Sequence, residues 1–439
     1  MSRYKPYPAY KDSGVEWLGE VPEHWEIMPM WSVYRPVKRT GFIMEPLLSV
    51  YRDYGIVLKD SRDDNRNRAS DDLNPYQLVE RGNLVTNKMK TWQGSIAVSE
   101  LRGIVSPAYF IYEPIRNVFD KFIHYLMRSS PYITGYMSIS KGIRVGQWDL
   151  DPELFRTFPI LFPCEGEQKQ IVEALDRETA RIDALIAKKS RFVELLREKR
   201  QAFITHAVTK GLDPSVKMKD SGVEWLGEVP EHWDVRPIKS LATESSTLFI
   251  DGDWIESHNL SSTGVRYITT GNVSVGVYKE QGHGFITEET FRKLQCTEVL
   301  PGDILVSRLN PPIGRACIVP DLGLRIVTSV DNVILRPNGE FDPQFVVFRW
   351  SAIDYFHELS LLASGATMQR VSRTDLGNIR IAWPPLSEQI KIRHHLHEET
   401  SRIDALITKT QRSIDLLKER RSAFITAAVT GQIDLRESK

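Results

Sequence analysis

Two short stretches of this chain carry residue types that suit reading nucleic acid. Residues 87–95, NKMKTWQGS, set Lys88 and Lys90 beside Trp92, Gln93 and Ser95, and residues 307–315 set Arg308 and Asn310 ahead of Arg315. Ammonium groups neutralise phosphates. Guanidinium and amide groups can contact guanine or adenine bidentately in the major groove, and a hydroxyl can pair with either. Two glycine-marked polar stretches have the same character: residues 140–147, with Lys141 and Arg144, and residues 364–371, with Gln369 and Arg370. These twelve residues are the candidate DNA contacts.

Other constellations suggest catalysis only at first sight. In adenine methyltransferases an Asn/Asp-Pro-Pro-aromatic run holds a flipped base. Here the run is Asn310, Pro311, Pro312 and Ile313, with no stacking ring, and we find no glycine-rich strand–helix motif for a methyl donor. It reads as a turn. His394, His395 and His397 point to several faces of one helix without a Cys or carboxylate set at ligand spacing, so they read as surface histidines. The sequence contains no GxxxxGK[ST] phosphate loop. The expectation is a binding protein, with no catalytic residue, metal or cofactor of its own.

The elements that must position these residues are written twice. Residues 11–25, KDSGVEWLGEVPEHW, recur unchanged at 219–233, a displacement of 219 − 11 = 208. Glu167-Gln168, Arg181-Ile182-Asp183 and residues 202–205 (AFIT) return as Glu388-Gln389, Arg402-Ile403-Asp404 and residues 423–426, displaced by 388 − 167 = 221. Between these markers the two inserts differ in sequence, and the second is 13 residues longer, since 221 − 208 = 13. Matched frames around different fillings suit a molecule that reads two different things at a fixed separation.

From residue 167 to about 209 apolar residues recur near seven-residue spacing at Leu175, Ile182, Leu196 and Phe203, with an adjoining stripe at Ile171, Leu185 and Phe192. The second copy keeps Ile392, Leu396, Ile403, Leu406, Leu417 and Phe424, with Ser387 placed to cap its start and Gly211 and Gly431 placed to stop the two helices. Each helix alone would leave an apolar stripe in water, so the two should pair lengthwise as an antiparallel coiled coil within one chain. A coil between two molecules is the alternative.

The inserts read as α+β. Strand-like runs lie at 83–86, 104–112, 265–269, 303–307 and 332–335, and helices at 119–127 and 344–359. The expected architecture is therefore two globular α+β domains separated by two long helices, related by a pseudo-two-fold axis. The segments are 1–163 (first reader), 164–211 (central helix), 212–384 (second reader with its repeated lead-in) and 385–439 (C-terminal helix).

Composition fits this plan. Of 439 residues 41% are hydrophobic and 26% charged, as in ordinary globular domains, and no run of about 18 apolar residues would span a membrane. The start, MSRYKPYPAY, lacks the apolar core of a signal peptide, and three distant cysteines form no disulfide framework, so a reducing cytoplasm is expected. Lys+Arg and Asp+Glu balance at 57 each, which points to a partner protein supplying part of any phosphate contact.

The repeated lead-ins (WLGEVP at 17–22 and 225–230), residues 384–389 (PPLSEQ), their counterpart 163–168 (PCEGEQ) and residues 301–305 (PGDIL) together resemble the specificity subunits of type I restriction–modification systems, over nearly the whole chain. The resemblance implies two target-recognition domains separated by coiled-coil-forming helices. It implies a bipartite, asymmetric double-stranded DNA target read one half-site per domain, in phage defence. It also implies partners: two modification subunits that methylate adenine with S-adenosylmethionine, and restriction subunits that use ATP and Mg. The exposed basic faces of the helices, with Arg177, Arg181, Arg197, Arg200, Arg402 and Arg421, are the expected partner surface. The competing readings are a stand-alone DNA methyltransferase and a protein–protein adaptor that does not touch DNA.

Overall fold

A computed structural model describes residues 4–52, 54–61, 69–144, 147–282, 284–365 and 368–436, with the side chains of 143, 144 and 147 outside the description. The chain forms two compact units, Met1–Ser190 with Arg412–Lys439, and Arg191–Gln411. The class is α+β, as expected. Among the described residues no helix is long and apolar enough to cross a membrane.

In the first unit the repeated lead-in is a hairpin, Tyr10–Asp12 against Glu20–Pro22. The insert is closed at its base by Glu26–Pro29 pairing antiparallel with Pro159–Phe162. Its central sheet is four antiparallel strands in the order Tyr34–Val37, Tyr109–Pro114, Leu84–Asn87, Ile96–Val98. The run expected at 104–112 divides at Pro107 between two sheets, because Gly103–Val105 pairs instead with Gln77–Val79. Helices Asp120–Met127 and Ser130–Ser138 cover the sheet, with Phe122, Ile123, Leu126, Met127, Tyr132 and Tyr136 fully buried.

The second unit repeats this plan with different residues. Its lead-in hairpin is Met218–Asp220 with Glu228–Pro230, and its insert is closed by Asp234–Pro237 pairing with Arg380–Trp383. The central sheet has the same order of first, fourth, second and third strand: Leu248–Asp251, Asn332–Arg336, Ile304–Ser307, Ala316–Ile318. The single helix expected at 344–359 is two, Pro343–Arg349 and Ile353–Leu362. The corner between them buries Trp350 against Tyr355, ring centroids 6.1 Å apart. The buried Arg349 spans it in a two-bond pair with Asp354, at 3.0 and 2.8 Å. The inserts differ most outside this shared sheet. Among the described residues only the second has a mixed four-stranded sheet, in which Val265–Ile268 runs parallel to Ile326–Thr328.

The long helices are Glu165–Lys210 and Leu386–Val429, and each unit contains part of both. Pairing is antiparallel. Phe203 packs tilted against His395, ring centroids 5.3 Å apart, and stepping back to Arg200 on one helix moves forward to Asp404 on the other. Ile171, Leu175, Ile182, Leu196, Ile392, Leu396 and Ile403 are buried in the expected seam, while Phe203, Leu417 and Phe424 are half-buried. Leu185, Phe192 and Leu406 are not part of it, being 40%, 47% and 46% exposed. One residue turns a helix by about 100°, so the seam runs through the half-buried Ile186 and Ile407, and through the buried Val193 and Ile414. Ser387 does not cap the second helix. That helix starts at Leu386, and the N–H groups of Glu388 and Gln389 donate to Pro385 O.

Candidate nucleic-acid interface

The repeated words fasten each insert to its helix. His24 Nε2 lies 2.9 Å from Glu167 Oε2 in the first unit, and His232 Nε2 lies 2.6 Å from Glu388 Oε2 in the second. Gln168 donates to Pro163 O at 2.8 Å while its oxygen accepts from Phe119 N at 3.1 Å. Gln389 does the same with Pro384 O and Asp342 N, both at 2.9 Å. Trp25 and Trp233 are completely buried behind these contacts. The identical sequence therefore builds a socket, and the chemistry that differs lies at the other end of each sheet.

There, the two loops singled out by their residue types occupy one topological position, between the second and third strands of the shared sheet in chain order. Residues 88–95 join Leu84–Asn87 to Ile96–Val98, and residues 308–315 join Ile304–Ser307 to Ala316–Ile318. Each loop has eight residues and the same closing bond, Asn87 N to Ser95 O at 3.0 Å and Ser307 N to Arg315 O at 2.9 Å. Each has a glycine in left-handed conformation one residue before its end, Gly94 at φ 93° and Gly314 at φ 82°, where a side chain would be strained. The glycine-marked stretches lie alongside. Leu150, which pairs with Ser140 on the adjacent strand, donates its N–H to Lys88 O at 2.9 Å, and Val371 N donates to Arg308 O at 3.1 Å. Four stretches chosen by composition thus form two equivalent edges.

The side chains are deployed differently. In the first unit Lys90 and Gln93 are exposed and rim a cleft of about 310 Å³ that also takes Tyr51, Arg52, Lys59, Asn87 and Tyr109. The ring of Trp92 packs 5.0 Å from Trp148 and its N–H donates to Met89 O. Lys88 is half-buried, donating to Pro107 O at 2.7 Å over the ring of Phe110. Lys141 is exposed, 3.8 Å from Asp151, and the Arg144 side chain lies outside the described residues. Ser95 is buried and lines the same cleft.

In the second unit the expected contacts Arg308 and Arg315 turn to the backbone. Arg308 is 3% exposed and donates to Val371 O at 3.2 Å and Val330 O at 2.6 Å, with Asp251 at 2.9 Å. Arg315 donates to five carbonyls, those of Val273, Leu309, Asn310, Pro312 and Thr270, at 2.7 to 3.3 Å. Burial holds the pKa of both guanidinium groups below its usual value, a consequence of taking the charge out of water. Both side chains hold the loop rather than project from it. Asn310, Gln369 and Arg370 remain exposed, with Asn310 N bonded to Gln369 O at 3.1 Å and Arg370 3.4 Å from Asp331. Ile313 is buried, which agrees with a turn at residues 310–313. The sequence reading missed the cleft residues Tyr51, Arg52, Lys59 and Tyr109, whose segments are far apart in the chain and carry no shared spacing.

On the helices Arg177, Arg181, Arg197 and Arg402 are exposed. Arg200 and Arg421 instead link one helix to the other, Arg200 to Asp404 at 2.9 Å and Arg421 to Asp183 at 2.9 Å. These are equivalent pairs from the repeat, one in each unit. Half-exposed pairs of this kind contribute about 0–1 kcal/mol each, so their value is in register more than in stability. His394, His395 and His397 are exposed, and among the described residues no group of three or more His, Cys, Asp or Glu is placed to hold a metal.

No family model matches the chain. It is 23% identical over 431 residues to the type I restriction enzyme MjaVIII specificity subunit of Methanocaldococcus jannaschii, covering 95% of this chain and 94% of that one. It is 21% identical over 441 residues to the EcoKI specificity subunit of Escherichia coli K12, covering 94% and 90%. Its fold matches a chain from a solved type I R-M system studied for complex assembly and conformational transition, with TM-score 0.70, 16% identity, and coverage of 94% and 99%. It also matches the HsdS subunit of Thermoanaerobacter tengcongensis, with TM-score 0.51, 17% identity, and coverage of 94% and 98%. Along nearly its whole length this chain is similar in sequence to proteins named as specificity subunits of type I restriction enzymes, and its fold is that of the HsdS subunit.

Proposed function

We propose that this chain is the DNA sequence-specificity subunit of a type I restriction–modification system. Each insert reads one half of a bipartite duplex target, and the paired helices set the unspecified gap between the halves. The chain carries no catalytic group. Methylation of adenine with S-adenosylmethionine, and ATP- and Mg-dependent restriction, belong to the modification and restriction subunits that assemble on it in the cytoplasm. The observation that carries the reading is the pair of equivalent loop edges with different side chains, mounted on identical sockets, in a chain related end to end to named specificity subunits.

Within this reading the roles divide by exposure. Lys90, Gln93, Lys141, Asn310, Gln369 and Arg370 face the duplex. Lys88 and Trp92 shape the first edge, while Ser95, Arg308 and Arg315 act as positioning residues behind it or its counterpart. The methyl donor is labelled, and the chain is assayed with and without its modification subunits on mixed DNA. Methyl transfer requires the subunits, and the complex binds DNA with a steep salt dependence. Methylation by the chain alone would make it the enzyme. A complex that methylates without binding DNA through this chain would make it only an adaptor.

A further inference from the structure

Resting on that reading, we infer that Trp254 is an aromatic DNA contact of the second reader, lying against the duplex beside the loop at residues 308–315. Trp254 is 68% exposed, an unusual state for the largest apolar side chain, and its indole N–H is occupied by Glu256 at 3.1 Å. Its place is fixed by the sheet. The strand Leu248–Asp251 ends with Asp251 paired to Arg308. Asp253 N then donates to Thr328 O at 2.8 Å, and Asp253 O accepts from Val330 N at 3.0 Å. The carbonyl of that same Val330 takes the Arg308 guanidinium at 2.6 Å. Trp254 therefore emerges one residue beyond the framework that holds the reading loop.

Arg308, Arg370 and Arg373 lie among Asp251, Asp331 and the Glu256 carboxylate that holds the indole N–H, so the side chain offers a duplex an apolar face and no excess of charge. The first unit has a parallel feature. The segment leaving its corresponding strand, Tyr34–Val37, bears Met44 at 93% exposure, with Phe42 and Ile43 exposed before it. Apolar side chains at such an edge can wedge at a base step or pack on a sugar or thymine methyl, contacts that are sequence-tolerant in energy yet register-dependent in geometry.

The test uses the complex with its modification subunits, and a fluorescein-labelled duplex bearing the motif found by mapping methylated adenines in cells. A scrambled duplex of equal length is the comparison. Trp254→Ala weakens binding to the motif duplex about tenfold, as for a lost aromatic–base contact, while Trp254→Phe stays within a few-fold of the parent. Subunit assembly by size-exclusion chromatography and the salt slope are unchanged, because no cation is lost. Parent-like affinity in Trp254→Ala overturns the inference. So does loss of subunit assembly with undiminished DNA affinity in the assembled fraction, which would make Trp254 a protein contact. A parent complex that does not discriminate motif from scrambled duplex overturns the specificity reading and this inference with it. A discriminating parent with a silent Trp254→Ala overturns this inference alone.

Discussion

The two reading edges share a sheet, a loop length and a closing hydrogen bond, yet they hold their loops by different means. The first relies on small groups and aromatics: Thr91 buried beneath the loop, Gly94 fitted against Ile133, and Trp92 leaning on Trp148. The second relies on two guanidinium groups that satisfy backbone carbonyls from inside. The same backbone problem has two solutions because a loop needs its carbonyls and N–H groups satisfied and cares little which side chains do it. The consequence is that residue type alone misleads about role. Arginine serves as scaffold in one reader, while glutamine and lysine reach solvent in the other.

The largest expected effect separates the shared frame from both readers. Ile182→Glu with Ile403→Glu puts charge into the buried seam, at about 2–7 kcal/mol for each unpaired polar group. It should abolish assembly and target reading together. Leu185→Glu with Leu406→Glu lies on exposed faces and should leave the fold intact. Thermal unfolding and subunit pull-down distinguish them, and a seam pair that assembled normally would mean the helices are not held by this stripe.

Next comes the second loop. Arg315→Met strands several carbonyls at a cost of about 1–3 kcal/mol each where no water can replace the donor. Reading of one half-site should be lost while the other persists, with a reduced melting temperature. If Arg315→Met kept its melting temperature and relaxed only one base position, Arg315 would be a base reader after all.

The smallest effects belong to the first loop. Gln93→Ala should cost about 1–3 kcal/mol on the motif duplex and relax one position of one half-site. Lys90→Ala should weaken binding to all sequences alike and lower the salt slope by about one. Titrations at several salt concentrations on motif and scrambled duplexes separate the two. Equal losses for Gln93→Ala on both duplexes would remove it from the base contacts.

Much of this plan was legible in the residues. Identical words 208 and 221 positions apart announce two frames, and the spacing of Leu175, Ile182 and Leu196 announces a paired helix. The seam passes through Ile186 and Ile407, four residues after Ile182 and Ile403, and leaves Leu185 and Leu406 exposed; both neighbours are apolar, so composition alone does not choose between them. The equivalence of the two sheets was invisible, because strand pairing is set by partners far along the chain and the inserts share little sequence. The inward turn of Arg308 and Arg315 was hidden for the same reason. The carbonyls of Val371 and Val273 that hold them lie 63 and 42 residues away.

The most direct test of two independent readers on equivalent sockets is exchange of residues 26–163 as a block for the first insert of a related specificity subunit, followed by mapping methylated adenines in cells carrying the complete system. The lead-in ending at Trp25 and the helix beginning at Glu165 are retained, so His24, Glu167 and Gln168 still dock the new insert. One half-site should change, while the other half-site and the gap stay as they were. A chimera that rewrote both half-sites would contradict the account, because the inserts would then read DNA jointly.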